Sequence, residues 1–84
     1  MALMPSAQIV RFVTETLADH LDLPSAEVTE TSRIIEDLGA DSLDIAEVAM
    51  TLEEALGITI PDHDLNRLQT VQELVAYVRE RVPA

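Results

Sequence analysis

The segment from Asp41 to Gly57 carries two apolar stripes on one helical period, and a small chain can bury only one of them. At about 100° per residue, Ile45, Val48, Ala49, Leu52 and Leu56 share one side of a helix over 41–56. Leu43, Ala46 and Met50 lie nearly opposite. Asp41 is a good N-cap, Asp44 adds a carboxylate in the first turn where the helix dipole favours it, and Gly57 is a suitable terminator. The first stripe is longer and more branched, so it is assigned to the core. The second is then expected to be exposed, with Glu47 and Glu54 beside it, Glu53 on its other edge and Asp44 farther round. An apolar strip rimmed by carboxylates suits a partner-docking helix, with contact for affinity and charge for steering. The alternative is that this strip packs against a loop or a neighbouring helix.

The other elements are arranged around that helix. Residues 6–20 predict a helix with Ser6 as its cap after Pro5, an apolar stripe of Ile9, Val13 and Leu17, with Val10 alongside and Phe12 on its edge, and a stop at Pro24. Residues 21–40 read as a long irregular loop in which Leu23, Val28, Ile34, Ile35 and Leu38 pin the chain across the core, with Gly39 allowing a positive φ before the next helix. Ile58-Thr59-Ile60-Pro61 alternates like a strand, but Pro61 and the want of a pairing strand make it an extended linker. A short helix follows over 62–68, with Leu65 and Leu68 inward. Thr70-Val71-Gln72-Glu73 is a capping box. It opens a last helix whose stripe is Val71, Leu74, Val75, Val78 and Val82, with Tyr77 at the edge and Pro83 at the end. The expected fold class is all-α: a small bundle of three main helices plus a short helix, with a long loop between the first two helices, over 1–84 as a single domain.

The charge balance narrows the partners. The chain has 16 acidic residues against five basic ones, all arginine, for a formal charge of −11. Ile34 to Asn66 holds no Lys or Arg, yet contains Glu36, Asp37, Asp41, Asp44, Glu47, Glu53, Glu54, Asp62 and Asp64. Such a field disfavours nucleic acid and anionic membranes and favours a partner with a basic patch. The bland alternative is that acidity only keeps a small protein in solution. With no Cys there is no disulfide framework and no thiolate metal site, which fits the cytoplasm. The apolar runs fall far short of the roughly 20 residues of a membrane span, and Met-Ala-Leu-Met-Pro lacks the basic flank of a signal peptide.

No catalytic constellation stands out. His20 and His63 lie far apart in sequence and read as surface or helix-end residues, and Gly39 and Gly57 cannot make a glycine-rich phosphate loop. Asp41/Asp44 and Glu36/Asp37 could bind a divalent cation loosely, but they lack the spacing of an oxygen-ligand calcium loop, so plain surface acidity is the favoured reading and no metal is expected. Ser42 has no sequence-near base to make it a nucleophile. It does stand where a helix start favours negative charge, phosphate included, although Ser and Asp are also ordinary capping residues. A hydroxyl modified by another enzyme needs only access and a docking surface.

Gly39-Ala40-Asp41-Ser42-Leu43-Asp44 resembles the prosthetic-group attachment motif of acyl carrier proteins. The likeness continues through Glu47, Met50 and Leu52-Glu53-Glu54, then Ile58-Thr59-Ile60-Pro61-Asp62, then Thr70-Val71-Gln72, and covers essentially the whole chain. The resemblance implies a carrier and not an enzyme. It implies 4′-phosphopantetheine esterified to Ser42, taken from coenzyme A by a Mg²⁺-dependent phosphopantetheinyl transferase, with acyl groups carried as thioesters on its thiol. It implies docking through Asp41, Leu43, Asp44, Ala46, Glu47, Met50, Glu53 and Glu54 on acyltransferases, ketosynthases and other synthase enzymes with basic patches. It also implies a monomer working in the cytoplasm, and in related carriers the acyl chain can slip between helices. Ile45, Ala46, Leu56-Gly57 and the absence of lysine depart from the commonest fatty-acid-synthesis pattern, so fatty acid, polyketide and related lipid biosynthesis all stay open. The reading from another class is an unmodified acidic helical module with Ser42 only starting a helix.

Overall fold

A computed structural model describes residues 5–82. Its helices are α1 (Ser6–Leu21), α2 (Ser42–Leu56), α3 (Asp62–Leu65) and α4 (Val71–Arg81), with a single 3₁₀ turn at Ser25–Glu27. No strand forms among the described residues. The nearest approach to one is an isolated antiparallel bridge between Arg33 and Thr70. The all-α bundle of three main helices and a short one, with its long first loop, is the architecture the periodicities predict.

The core is aliphatic. Val13 and Leu17 of α1, Leu52 of α2 and Val71, Val75 and Val78 of α4 are fully buried, so α1 packs against both other long helices. Between α1 and α2 the loop buries Val28, Ile34 and Leu38 as expected, with Leu23 half-buried. Ile35 does not join them: it is 54% exposed. Ile34 and Ile35 are adjacent in an irregular segment, and the backbone turns only one of them inward.

That loop is held by hydrogen bonds as well as by burial. The Ile34 N–H donates to the Gln69 carbonyl at 2.9 Å, the Val71 N–H to Ser32 at 3.0 Å and the Gln72 N–H to Glu30 at 2.9 Å. Two of these donors lie in the first turn of α4, where a helix has no partners of its own. The Glu73 carboxylate takes the Gln69 and Thr70 N–H groups, and the Thr70 hydroxyl takes the Glu73 N–H, which closes the expected capping box. The loop therefore caps α4, and α4 in return fixes the loop leading to α2.

Local chemistry differs from the sequence reading at several ends. Ser6 is the first helical residue of α1 rather than its cap; the Pro5 carbonyl accepts from Gln8 and Ile9 instead. The helix stops before Pro24, because Asp22 takes a left-handed conformation with φ 57° and the Leu23 N–H closes back on the Ala18 carbonyl at 2.8 Å. The short helix spans only Asp62–Leu65, and Asn66 and Arg67 form a turn. So brief a helix is not stable on its own. The Tyr77 hydroxyl anchors it by donating to Asp64 Oδ2 at 2.6 Å, with the Arg81 guanidinium over the Tyr77 ring at 3.8 Å. That hydrogen bond holds the Asp64 carboxyl below its ordinary range. Val82 lies past the end of α4 but still packs on the core, and Pro83 falls outside the described residues.

Candidate functional site

Ser42 is exposed at the first position of α2. Three local choices put it there. Gly39 turns the chain with φ 75°, a conformation that costs a residue with a Cβ about 1–2 kcal/mol. Ala40 is buried and anchors the turn. Asp41 and Asp44 then cap each other: Asp41 Oδ1 accepts the Asp44 N–H at 2.8 Å, and Asp44 Oδ2 accepts the Asp41 N–H at 3.0 Å. The Asp41 N–H, chiefly, holds the Asp44 carboxyl below its usual range.

This box satisfies the donors on either side of Ser42 and leaves those between them open. The Ser42 and Leu43 N–H groups make no hydrogen bond among the described residues. At the start of α4 the corresponding donors are taken by the loop, whereas those of α1 (Ser6 and Ala7) and α3 (Asp62 and His63), like those of α2, make no hydrogen bond among the described residues. The Ser42 hydroxyl thus stands beside two free donors at the positive end of a fifteen-residue helix. The chain has no Lys, and among the described residues neither His20 nor His63 pairs with it: they meet Asp44, Glu47 and Asp64.

An open groove of about 500 Å³ runs beside Ser42, lined by Ile35 of the loop, Ile45 and Ala46 of α2, Asp62 and Leu65 of α3, and Leu68. The exposed Ile35 forms part of this lining. At the groove floor, Ile45, Leu65 and Leu68 also border a closed apolar seam of only about 10 Å³ that reaches Leu17, Val48 and Leu74. Periodicity supplied Leu65 and Leu68 as core positions but gave no sign that they face Ser42, because that proximity depends on how α3 crosses α2.

The structure places the predicted docking residues unequally. Leu43 is 67% exposed and Met50 57%, with Ala46 half-buried between them, so the second stripe of α2 is uncovered. Asp41, Glu47 and Glu54 are exposed beside it. Glu53 is half-buried, and its Oε2 accepts the Ile60 N–H at 2.7 Å, tying α2 to the linker before α3. Asp44 is shared between the capping box and His20, whose Nε2 lies 3.3 Å from Asp44 Oδ1 and 3.8 Å from Glu47 Oε1. Arg33, the basic residue nearest in sequence, is engaged by Asp37 through both its backbone N–H and its guanidinium, at 2.8 and 3.0 Å. The face around α2 therefore stays acidic.

Helical carriers with an exposed serine at such a turn form a recognisable class, and comparison with known proteins assigns the chain to it. Residues 11–78 match the family described as "Phosphopantetheine attachment site". The chain is also 43% identical over 81 residues to the acyl carrier protein of Rubrobacter xylanophilus, an alignment spanning 96% of this chain and 100% of that protein. The chain belongs to the phosphopantetheine-attachment family, as an acyl carrier protein. It is a carrier and not an enzyme, and its prosthetic group is covalently attached 4′-phosphopantetheine. The residues present fit such a group: one accessible hydroxyl, two open N–H donors for a phosphate, and a groove with an apolar floor alongside. Among the described residues no helix is long and apolar enough to cross a membrane.

Proposed function

We propose that Ser42 is the attachment point of the 4′-phosphopantetheine arm and that the uncovered stripe of α2 is the docking face. The observation that carries this reading is the exposed Ser42 hydroxyl at the first turn of α2, beside the unpaired Ser42 and Leu43 N–H groups. When attached, the group supplies a terminal thiol that holds acyl chains as thioesters, which accounts for thiol chemistry in a chain without Cys. The work of the chain's own residues is to present and to hold. Gly39, Ala40 and the Asp41–Asp44 box fix the turn, and the two free N–H groups donate to phosphate oxygens. Because Asp41 and Asp44 already spend one oxygen each on the backbone, their charge is partly absorbed by the helix start, which eases the approach of a phosphodiester.

Leu43, Ala46 and Met50 offer apolar contact, and Asp41, Asp44, Glu47 and Glu54 offer charge to a basic patch. Glu53 contributes charge to the same helix while serving the fold. The partners are a phosphopantetheinyl transferase and the acyltransferases, ketosynthases and other synthase enzymes of fatty acid, polyketide or related lipid biosynthesis, met by a monomeric carrier in the cytoplasm. The seam under the groove is too narrow to hold an acyl chain as it stands. A carried chain that shelters there does so by parting α3 from α2, and α3, with four residues, is the shortest α-helix among the described residues. The test is loading. Full-length chain incubated with coenzyme A and a broad-specificity transferase gains the mass of one phosphopantetheine, and Ser42→Ala gains none while keeping its helical circular dichroism. A wild type left unmodified beside a loaded control carrier overturns the reading.

A further inference from the structure

We propose that His20, Asp44 and Glu47 form a binding site for a zinc-class divalent metal ion, bridging the end of α1 to the first turns of α2. In sequence His20 reads as a surface or helix-end residue, and the grouping exists only in three dimensions. Asp44 and Glu47 stand one turn apart on α2, facing the last turn of α1, where His20 projects between them. The His20 Nε2 lies 3.3 Å from Asp44 Oδ1 and 3.8 Å from Glu47 Oε1, and the three ligand atoms all lie within 4.8 Å of one another.

These spacings suit the chemistry. Ligand atoms about 2.0–2.2 Å from a tetrahedral zinc ion stand roughly 3.3–3.5 Å from each other. The His20–Asp44 pair already has that separation. Glu47 Oε1 stands 3.8 Å from His20 Nε2 and within 4.8 Å of the Asp44 ligand atom, and its side chain, 52% exposed, is free to rotate inward to close the set. One imidazole and two carboxylates, with solvent free to supply a fourth ligand, is a donor set that favours zinc, copper or nickel over magnesium and calcium.

The surroundings support the ligands. Asp44 Oδ2 is held by the Asp41 N–H at 3.0 Å, which fixes the carboxylate and leaves Oδ1 to face His20. A shallow surface hollow of about 240 Å³ lined by His20, Glu47, Met50, Thr51 and Glu54 gives an ion and its water a way in. His63 offers no equivalent: its side chain is 81% exposed and meets Asp64 alone, at 3.4 Å. The acidic pairs Glu36/Asp37 and Glu53/Glu54 bring no nitrogen ligand. A bound divalent ion would cancel the charges of Asp44 and Glu47, two members of the proposed docking face; the site itself stands whether or not that face is the docking surface.

The test uses the full-length chain without its prosthetic arm, because a thiol is itself a zinc ligand and the bare chain has none. Zinc chloride is titrated in by calorimetry while the imidazole nitrogen resonances are followed. One equivalent is expected to bind and to shift the His20 Nε2 signal while His63 stays in place. Magnesium chloride over the same range leaves His20 unmoved. His20→Gln and Glu47→Gln each weaken zinc binding by at least about tenfold, and circular dichroism checks that both keep the fold. If a variant does not fold, the wild-type resonances decide alone. Absence of zinc binding, an affinity indifferent to His20→Gln in a folded variant, or a shift at His63 in place of His20 overturns the proposal.

Discussion

Removing the Glu53 carboxylate separates its part in the fold from its part in the charge of α2. Its Oε2 accepts the Ile60 N–H at 2.7 Å in a half-buried position. Ile60 is itself 4% exposed, so little water can reach that N–H once the acceptor is gone. A hydrogen bond to a charged acceptor contributes about 1.5–3 kcal/mol, and leaving its donor unmet costs about 1–3 kcal/mol. For a partly solvated pair we expect Glu53→Ala to lose about 1–2 kcal/mol, which lowers Tm by roughly 5–15 °C in a domain of this size. Glu53→Gln keeps a neutral acceptor and is expected to lose about half as much. Glu54→Ala, next along the helix but exposed, stays within about 0.5 kcal/mol of wild type. Urea unfolding gives the free energies, and hydrogen exchange at the Ile60 amide gives the local readout. A Glu53→Ala variant as stable as Glu54→Ala, or an Ile60 amide equally protected in both, refutes the assignment.

Asp22→Gly is expected to stabilise the fold by about 1 kcal/mol, because Asp22 holds a left-handed φ of 57° at the end of α1 that glycine adopts without strain; a loss of stability on urea unfolding contradicts this. Glu73, held by the Gln69 and Thr70 N–H groups, has its folded pKa lowered from 4.5. Its stabilisation is therefore full above about pH 4.5 and fades as pH falls through the lower folded value. The stability gap between wild type and Glu73→Gln should shrink in that acid window, and a gap constant from pH 7 to pH 3 contradicts the capping-box account. Glu47→Arg and Glu54→Arg should each weaken binding to a synthase partner, as should added salt; affinity that ignores all three removes the docking face.

What the sequence disclosed was whatever depends on neighbours along the chain. The double stripe of α2, its Asp41 cap and Gly57 stop, the Thr70–Glu73 box and the positive φ of Gly39 all follow from spacing and residue type, and all appear in the structure. Ile35 departs from the expected burial because an irregular loop has no period to tell its two adjacent isoleucines apart. Pro24 blocks any continuation of α1, but the stop itself is local: Asp22 turns left-handed two residues earlier. The contacts that complete the site are tertiary and left no local trace: His20 against Asp44 and Glu47, Glu53 on Ile60, Leu65 and Leu68 in one groove with Ser42, and Tyr77 on Asp64.

The proposed attachment rests on one oxygen atom. The chain has four serines: Ser6 at the start of α1, Ser25 in the 3₁₀ turn, Ser32 buried with its hydroxyl bonded to Thr29, and Ser42 at the open start of α2. Fragmentation mass spectrometry of the loaded protein locates the arm directly. A single phosphopantetheine is expected on the fragment ions that contain Ser42 and none on those that contain Ser6, Ser25 or Ser32. An arm found on any other residue, with Ser42 bare, contradicts it.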